Sequence, residues 1–241
     1  MTVSPPPVTA TLHAALDATW PAASARSLGP WVIRDGQGGG KRVSAATANA
    51  AWTDPDIAAA EAAMRALHQT PLFMIREGDA VLDAALAARG YTVVDPVVVY
   101  AAACASLAPA PDPMSAFAHW PPLGIARDIW AAAGIGPARL AVMARAEGHK
   151  TAILGRTSDR ASGVAFVAIH GKTAMLHALE VAPTLRRQGS ANNILRAAAM
   201  WAQDHGATSL LLVATRANLG AAALYASLRL KVVGQYHYRQ K

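Results

Sequence analysis

The sequence predicts an α+β protein built as two tandem copies of one fold. Three observations carry this expectation. From residue 123 onward, helix-period and strand-period apolar runs follow one another in the order ααβββαβαβ. Five prolines, Pro109, Pro111, Pro113, Pro121 and Pro122, set that order apart from residues 1–104. Part of the same pattern also stands 139 residues earlier, with Leu72–Ile75 lying over Leu211–Ala214.

The first copy is placed at residues 1–104. Trp31–Arg34, the turn Gly38–Gly40 and Lys41–Ala46 read as a glycine hairpin, with Val43–Ala45 in strand. Along the repeat, Asp79 falls over Asn218, Leu86 over Tyr225, and Val93-Val94 over Val232-Val233. Residues 105–122 are the linker, because proline fixes φ and removes an N–H donor, which excludes continuous helix or a central strand.

The second copy, residues 123–241, opens with two short helices, Ile125–Ala133 and Ala138–Glu147. Pro137 begins the second helix, where a missing N–H costs nothing. Three β-rich runs follow, Thr151–Arg156, Val164–His170 and Thr173–Val181, the last two joined by a tight turn at Gly171-Lys172. A helix from Ser190 to His205 is stopped by Gly206, then come the strand Ser209–Ala214, the helix Leu219–Leu228 and the strand Lys231–Arg239.

Composition bounds the classes. With 53% hydrophobic and 15% charged residues over 241 positions, the chain is too apolar for disorder. Its longest uncharged apolar stretch, Val97–Ala108, falls short of the roughly 20 residues a membrane-spanning helix needs, so no membrane partner is expected. Met1–Thr11 has neither the basic nor the apolar region of a secretory signal, and the single Cys104 fits a reducing compartment, so a cytoplasmic location is expected. The net charge of +7 is uneven. Residues 1–104 carry 7 basic and 9 acidic side chains, whereas residues 105–241 carry 15 and 6. Nucleic acid, membrane phosphates and a phosphorylated cofactor all suit so basic a half.

The strongest motif is Val181-Ala-Pro-Thr-Leu-Arg186-Arg187-Gln188-Gly189-Ser190-Ala191, between a strand and a helix. Such a turn brings backbone N–H groups toward one point, and the following helix adds unpaired donors and partial positive charge. Gly189 has no Cβ to obstruct a phosphate, and Arg186 and Arg187 add charge.

This segment resembles the acyl-CoA pyrophosphate loop of the GCN5-related N-acetyltransferase (GNAT) superfamily: Arg or Gln, two residues, Gly, one residue, Gly or Ala. Arg186, Gly189 and Ala191 fill those places. Leu179-Glu180-Val181 resembles the strand before the loop, and Asn218-x-x-Ala221-x-x-Leu224-Tyr225 resembles the start of the family's last helix. The resemblance covers about residues 123–241. It implies the acyl-CoA N-acyltransferase fold, a mixed central β-sheet flanked by helices, with acetyl-CoA as co-substrate and transfer of acetyl to an amine.

What the resemblance implies for single residues follows from that chemistry. The strands ending near Val181 and Ala214 splay apart in the family, freeing the Val181 N–H to hold the thioester carbonyl. Leu179, Val181, Arg186, Arg187, Gln188, Gly189, Ser190, Ala191, Asn218 and Tyr225 are the cofactor-binding candidates, Asn218 also being a natural helix cap. Tyr225 is the candidate general acid, or else a core aromatic. His177 and Glu180 are the candidate bases. His177 falls where histone-acetylating members carry a glutamate, and a satisfied structural histidine is its alternative. Strand alternation sets the two on opposite faces.

Departures are also visible. Arg229-Leu230 replaces the usual glycine-aromatic pair, which puts that turn in doubt, although Gly90-Tyr91 keeps the pair in the first copy. There, Thr47–Trp52 stands where the phosphate loop should be and Leu86 replaces Tyr225, so the first copy is expected to be degenerate and to wall the acceptor pocket. The histidines lack metal-ligand spacing, and the six tryptophans are dispersed, as core residues are. The expected partner is a small-molecule or peptide amine, with no metal; nucleic acid ranks behind it, and the chain is expected to be a monomer or homodimer. The acidic balance of residues 1–104 points to a cationic acceptor. A non-catalytic acyl-CoA binding or regulatory module is the alternative.

Overall fold

The computed structural model describes residues 9–241; the segment read for a targeting signal therefore lies, as far as Val8, outside the described residues. The elements run α1 (Thr9–Thr19), β1 (Ser24–Leu28), β2 (Trp31–Asp35), β3 (Thr47–Ala48), α2 (Asp54–Ala66), β4 (Leu72–Ile75), α3 (Ala80–Ala88), β5 (Thr92–Ala103), β6 (Ala116–His119), α4 (Gly124–Ala132), α5 (Pro137–Arg145), β7 (Lys150–Thr157), β8 (Arg160–His170), β9 (Thr173–Val181), α6 (Ser190–Asp204), β10 (Ser209–Thr215), α7 (Leu219–Ser227) and β11 (Lys231–Gln240). From α4 onward this is the order read from the sequence, each element within a few residues of its expected bounds.

Two sheets form. The smaller has the order β1-β2-β3, and the larger runs β4-β11-β5-β10-β9-β8-β7-β6. The larger is mixed: β10 pairs parallel with β9, and the other neighbours are antiparallel. Helices α6 and α7 cover one face through Ile194, Leu195, Ala198 and Tyr225. The opposite face carries α1 through Leu12 and Leu16, and α4 and α5 through Trp130, Val142 and Met143. The small sheet packs with α2 and α3 around Trp31, Ile57, Phe73 and Leu86.

The duplication is written into the strand register. Leu72 pairs with Gln240, and 139 residues on, Leu211 pairs with Ala101; Met74 with Tyr238 likewise matches Val213 with Val99. The two halves have therefore exchanged their last strands. β5 of the first half lies between β10 and β11 of the second, and β11 lies between β4 and β5 of the first. Tyr236 faces Val97 on the two-fold of this arrangement, its own equivalent at the same offset.

The segment read as a linker holds an edge strand, which its prolines do not exclude, and one expectation needs correction. The proline-rich segment contains β6, which pairs with β7 at the sheet's end; an edge position tolerates the nearby prolines because it leaves one side of the strand unpaired. Val43–Ala45 is no strand: Lys41–Val43 forms a 3₁₀ turn, and β2 pairs instead with Thr47–Ala48. The cause is packing. A Cβ on Gly39 would stand 2.5 Å from Val142 Cγ2, so the glycine loop folds closely back onto α5 and buries Val43.

Candidate active site

The parallel pairing of β9 with β10 ends at Leu176 and Leu212. Beyond that point β10 stays with β5 while β9 stays with β8, so a gap opens between β9 and β10. Ala182 N–H bonds to Ser162 O at 2.9 Å, and the alternation of an antiparallel ladder then turns the Val181 N–H away from β8, toward the gap.

A bulge shapes this end of β9. His177 pairs with Phe166 and Glu180 with Val164, two residues of β9 opposing one of β8, with Ala178 at φ +52°. The indole N–H of Trp130 donates to Ala178 O at 2.8 Å and satisfies the carbonyl that the bulge leaves unpaired. The bulge also cancels the alternation rule. Phe166 and Val164 are two apart on β8, so His177 and Glu180 share a face, contrary to the expectation from spacing.

Two cavities meet here. One, about 620 Å³, is lined by Leu179, Val181, Arg186, Arg187, Gly189, Ala191 and Asn192 along the loop and by Ala221 and Leu224 across it. The other, about 380 Å³, is lined by Trp20, Arg42, Arg139, His177 and Tyr236. Leu179, Glu180, Asn218 and Tyr225 line both.

At the first cavity, Gly189 caps α6 at φ +86°, a left-handed conformation in which glycine avoids the Cβ clash. The first helical bond there runs from Asn193 N–H to Gly189 O at 3.0 Å, leaving the N–H groups of Ser190, Ala191 and Asn192 ahead of it. This donor set fits the diphosphate of an acyl-CoA. The side chains divide. Arg186 Nε donates to Val181 O at 3.1 Å, and Arg187 is exposed. Gln188 lies outside the lining, and Ser190 is buried with its hydroxyl 2.7 Å from Ser162 Oγ. Close seating of α6 depends on glycines that sequence reading passed over: a Cβ on Gly155 would stand 2.7 Å from Ile194 Cδ1, and one on Gly163 2.6 Å from Glu180 O.

Asn218 caps α7, its side chain accepting from Ala221 N–H at 3.0 Å. Tyr225 is 5% exposed and packs against Tyr100; burial first, then Tyr100 and Glu180, pushes its phenol up to about 12. Burial raises the Glu180 carboxyl above its ordinary range, against the pull of Arg186 and Arg139.

His177 is held differently. Thr19 Oγ1 donates to Ala15 O at 2.7 Å, so Nε2 of His177, 2.9 Å away, donates to Thr19. Nδ1 then accepts from Arg42 Nη1 at 3.0 Å. Both ring nitrogens are occupied, and burial with the Arg42 charge drives the imidazole pKa well down. No lone pair is left for a substrate proton, so this geometry is that of a satisfied structural histidine. Trp20, Arg42 and the bulge carried no local signal that could have placed them here.

Among the described residues, no group of three or more His, Cys, Asp or Glu side chains is placed to hold a metal ion, and no helix is long and apolar enough to cross a membrane.

The sheet, its splayed parallel pair and the open helix start define a class: the duplicated acyl-CoA N-acyltransferase fold. Residues 114–229 match the model of the acetyltransferase (GNAT) family. A Bacillus subtilis protein described as the uncharacterized N-acetyltransferase YobR is 27% identical over 239 residues, spanning 93% of this chain and 95% of its own. In fold, the chain is similar to a GCN5-related N-acetyltransferase from Kribbella flavida, with TM-score 0.71, 18% identity, and 97% of this chain and 95% of that one covered. It is also similar to a tandem GNAT protein from the clavulanic acid biosynthesis pathway, with TM-score 0.59, 15% identity, and 82% and 74% covered.

Proposed function

We propose that the protein is an N-acetyltransferase that moves acetyl from acetyl-CoA to a primary amine by direct attack while both are bound. The observation that carries this reading is the junction: Glu180 and Tyr225 line both cavities, one fitted to the cofactor's phosphates and the other open to an acceptor. Acetyl-CoA, when bound, supplies the acetyl group as a thioester. The N–H groups of Ser190, Ala191 and Asn192 hold its diphosphate at the start of α6, with Arg187 adding charge. Val181 N–H donates to the thioester carbonyl oxygen, where negative charge develops.

Proton movement falls to the junction. Glu180, whose raised pKa makes it a better base than an exposed carboxylate, takes the proton of the acceptor ammonium, directly or through water. As the new C–N bond forms and the C–S bond breaks, Tyr225 gives its proton to the departing thiolate, and the second proton lost by the acceptor nitrogen returns Tyr225 to the phenol. His177 positions the pocket wall. The N-terminal half does not bind the cofactor: its corresponding helix, α2, starts with Asp54 and Asp56, and the Asp56 carboxylate accepts from Thr53 N–H at 2.8 Å where phosphate would have to sit. Buried Leu86 occupies the place of Tyr225.

The test is release of free coenzyme A thiol from acetyl-CoA over a panel of amines. Turnover with at least one amine, falling sharply in Tyr225→Phe while coenzyme A still raises the melting temperature, supports the enzyme. Stabilisation by coenzyme A with no turnover on any amine supports a non-catalytic acyl-CoA binding module instead.

A further inference from the structure

The acceptor cavity holds a cation without a counter-ion. Arg42 stands on the 3₁₀ turn Lys41–Val43, contributed by the N-terminal half. Its Nη1 spends one hydrogen on the neutral His177, its guanidinium carbon lies 5.8 Å from the centre of the Trp20 ring, and its buried Nε has no hydrogen-bond partner among the described residues. None of the ion pairs among the described residues includes it. Tyr236 and Tyr238, each 4% exposed, line the same cavity beside Arg42, and the buried Tyr236 hydroxyl makes no hydrogen bond of good geometry among the described residues.

Buried polar atoms are almost always paired, and the Arg42 side chain, half-buried as a whole, keeps its Nε among the exceptions. Two orphaned donors on one cavity wall therefore describe the missing partner, an anionic oxygen acceptor small enough for a cavity of about 380 Å³. The other charges lining that cavity do not supply it. Lys41 is paired with Asp95 at 2.8 Å, Arg139 is a further cation at the exposed rim, and Glu180 faces the junction with the cofactor cavity. Arg42 and Tyr236 line the acceptor cavity alone, whereas Glu180 and Tyr225 line both. An acceptor seated here meets a carboxylate at its amine end and a guanidinium at its other end.

We propose that the acceptor is an amino acid or a similar compound carrying both a primary amine and a carboxylate, with Arg42 and Tyr236 binding the carboxylate and thereby presenting the amine at Glu180. This rests on the acetyltransferase reading and narrows its substrate. It also replaces the cationic acceptor suggested by the acidic balance of residues 1–104, since that half places Lys41, Arg42 and Asp95 on the cavity, a locally basic wall.

The experiment compares matched triplets of acceptors with the full chain and acetyl-CoA: an amino acid, the amine left by its decarboxylation, and its carboxamide. Both α-amino acids and longer ω-amino acids are included to vary the spacing. The expected kcat/KM favours the acid over both neutralised forms by roughly tenfold to a hundredfold, the worth of a charge-assisted contact. Arg42→Gln brings the ratio of acid to amine toward one, and Arg42→Lys restores part of it. Equal kcat/KM across the triplets overturns the assignment of Arg42 while leaving the acetyltransferase intact. Should the Gln variant fail to fold, the wild-type ratios decide. Should no amine turn over, calorimetry on the same triplets decides: tighter binding of the acid upholds the carboxylate site and removes the enzymatic reading, and equal or absent binding overturns the site.

Discussion

Arg42 Nη1 donates to His177 Nδ1 at 3.0 Å, a bond between the two halves of the duplication that fixes the histidine as the neutral Nε2–H tautomer. It has a consequence for stability. The imidazole pKa is lowered by burial first and by Arg42 second, so below the ordinary value of 6.5 the unfolded chain binds a proton that the folded chain refuses. Stability is therefore full above pH 6.5 and is lost as the pH falls below it. Urea denaturation between pH 7.5 and 5 is expected to show a loss steeper in the wild type than in His177→Gln, by up to about 1.4 kcal/mol per pH unit. His13, also shifted down by burial, adds a slope that both proteins share.

Under the proposed mechanism, Glu180 and Tyr225 set the limits of the rate profile. Burial raises the Glu180 carboxyl above 4.5, so kcat is expected to fall on the acid side through a limb centred above that value, as the base is protonated. Glu180→Gln should lose the limb and roughly a hundredfold or more in kcat. Tyr225, pushed up to about 12, stays protonated through the alkaline range and adds no limb of its own below about pH 10. A wild-type profile in which kcat is flat down to pH 4 would remove Glu180 from the reaction.

Gly163 controls how closely β9 and α6 approach. A methyl there would stand 2.6 Å from Glu180 O, 3.0 Å from Val181 Cγ2 and 3.1 Å from Ile194 Cδ1. Gly163→Ala is expected to cost about 1–3 kcal/mol by overpacking and to weaken coenzyme A binding, because β9 and the start of α6 must both move. Gly124→Ala is the control, since nothing lies within 4 Å of its Cβ position. Chemical denaturation and calorimetric titration with coenzyme A read the two effects.

At the end of α7 the chain keeps a turn that the sequence made doubtful. Arg229 N–H bonds to Ala226 O and Leu230 N–H to Tyr225 O, the pattern that Gly90 and Tyr91 make at the end of α3. Arg229 adopts φ +58° to do so, where Gly90 stands at +82°. Hydrogen bonding and the burial of Leu230 hold a non-glycine residue in the left-handed region. Arg229→Gly should raise stability by about 0.5–1 kcal/mol, measured by thermal or urea denaturation.

The elements legible in the sequence were those whose signals are local. The 3.6-residue apolar spacing of α6, the Gly171-Lys172 turn and the loop before Ser190 each sit within one window, and the structure has them there. The cavity along the loop was legible for the same reason, since loop and helix are contiguous. The second cavity was not. Trp20, Arg42, His177 and Tyr236 meet there from four distant parts of the chain, and the bulge at Ala178 inverts the face on which Glu180 was expected. The short strand β1 and edge strand β6 escaped because exposed strands lack the apolar alternation that betrays a half-buried one.

The register repeat at offset 139 was legible, but not that the halves had traded strands. Divided at the proline-rich linker, residues 105–241 would keep β10 and β11 without β5, which pairs with both along most of its length. The fragment would expose two edges lined by Leu211, Val213 and Tyr236, residues that pack with Val97 and Val99 in the intact chain. Residues 1–104 would likewise lack β11, the partner of β4. Each fragment alone is therefore expected to aggregate or remain unfolded, whereas the two expressed together should combine into a soluble one-to-one complex that melts cooperatively. Light scattering and circular dichroism distinguish the outcomes. A soluble, cooperatively folding 105–241 fragment would show that the second half completes its sheet without the exchanged strand.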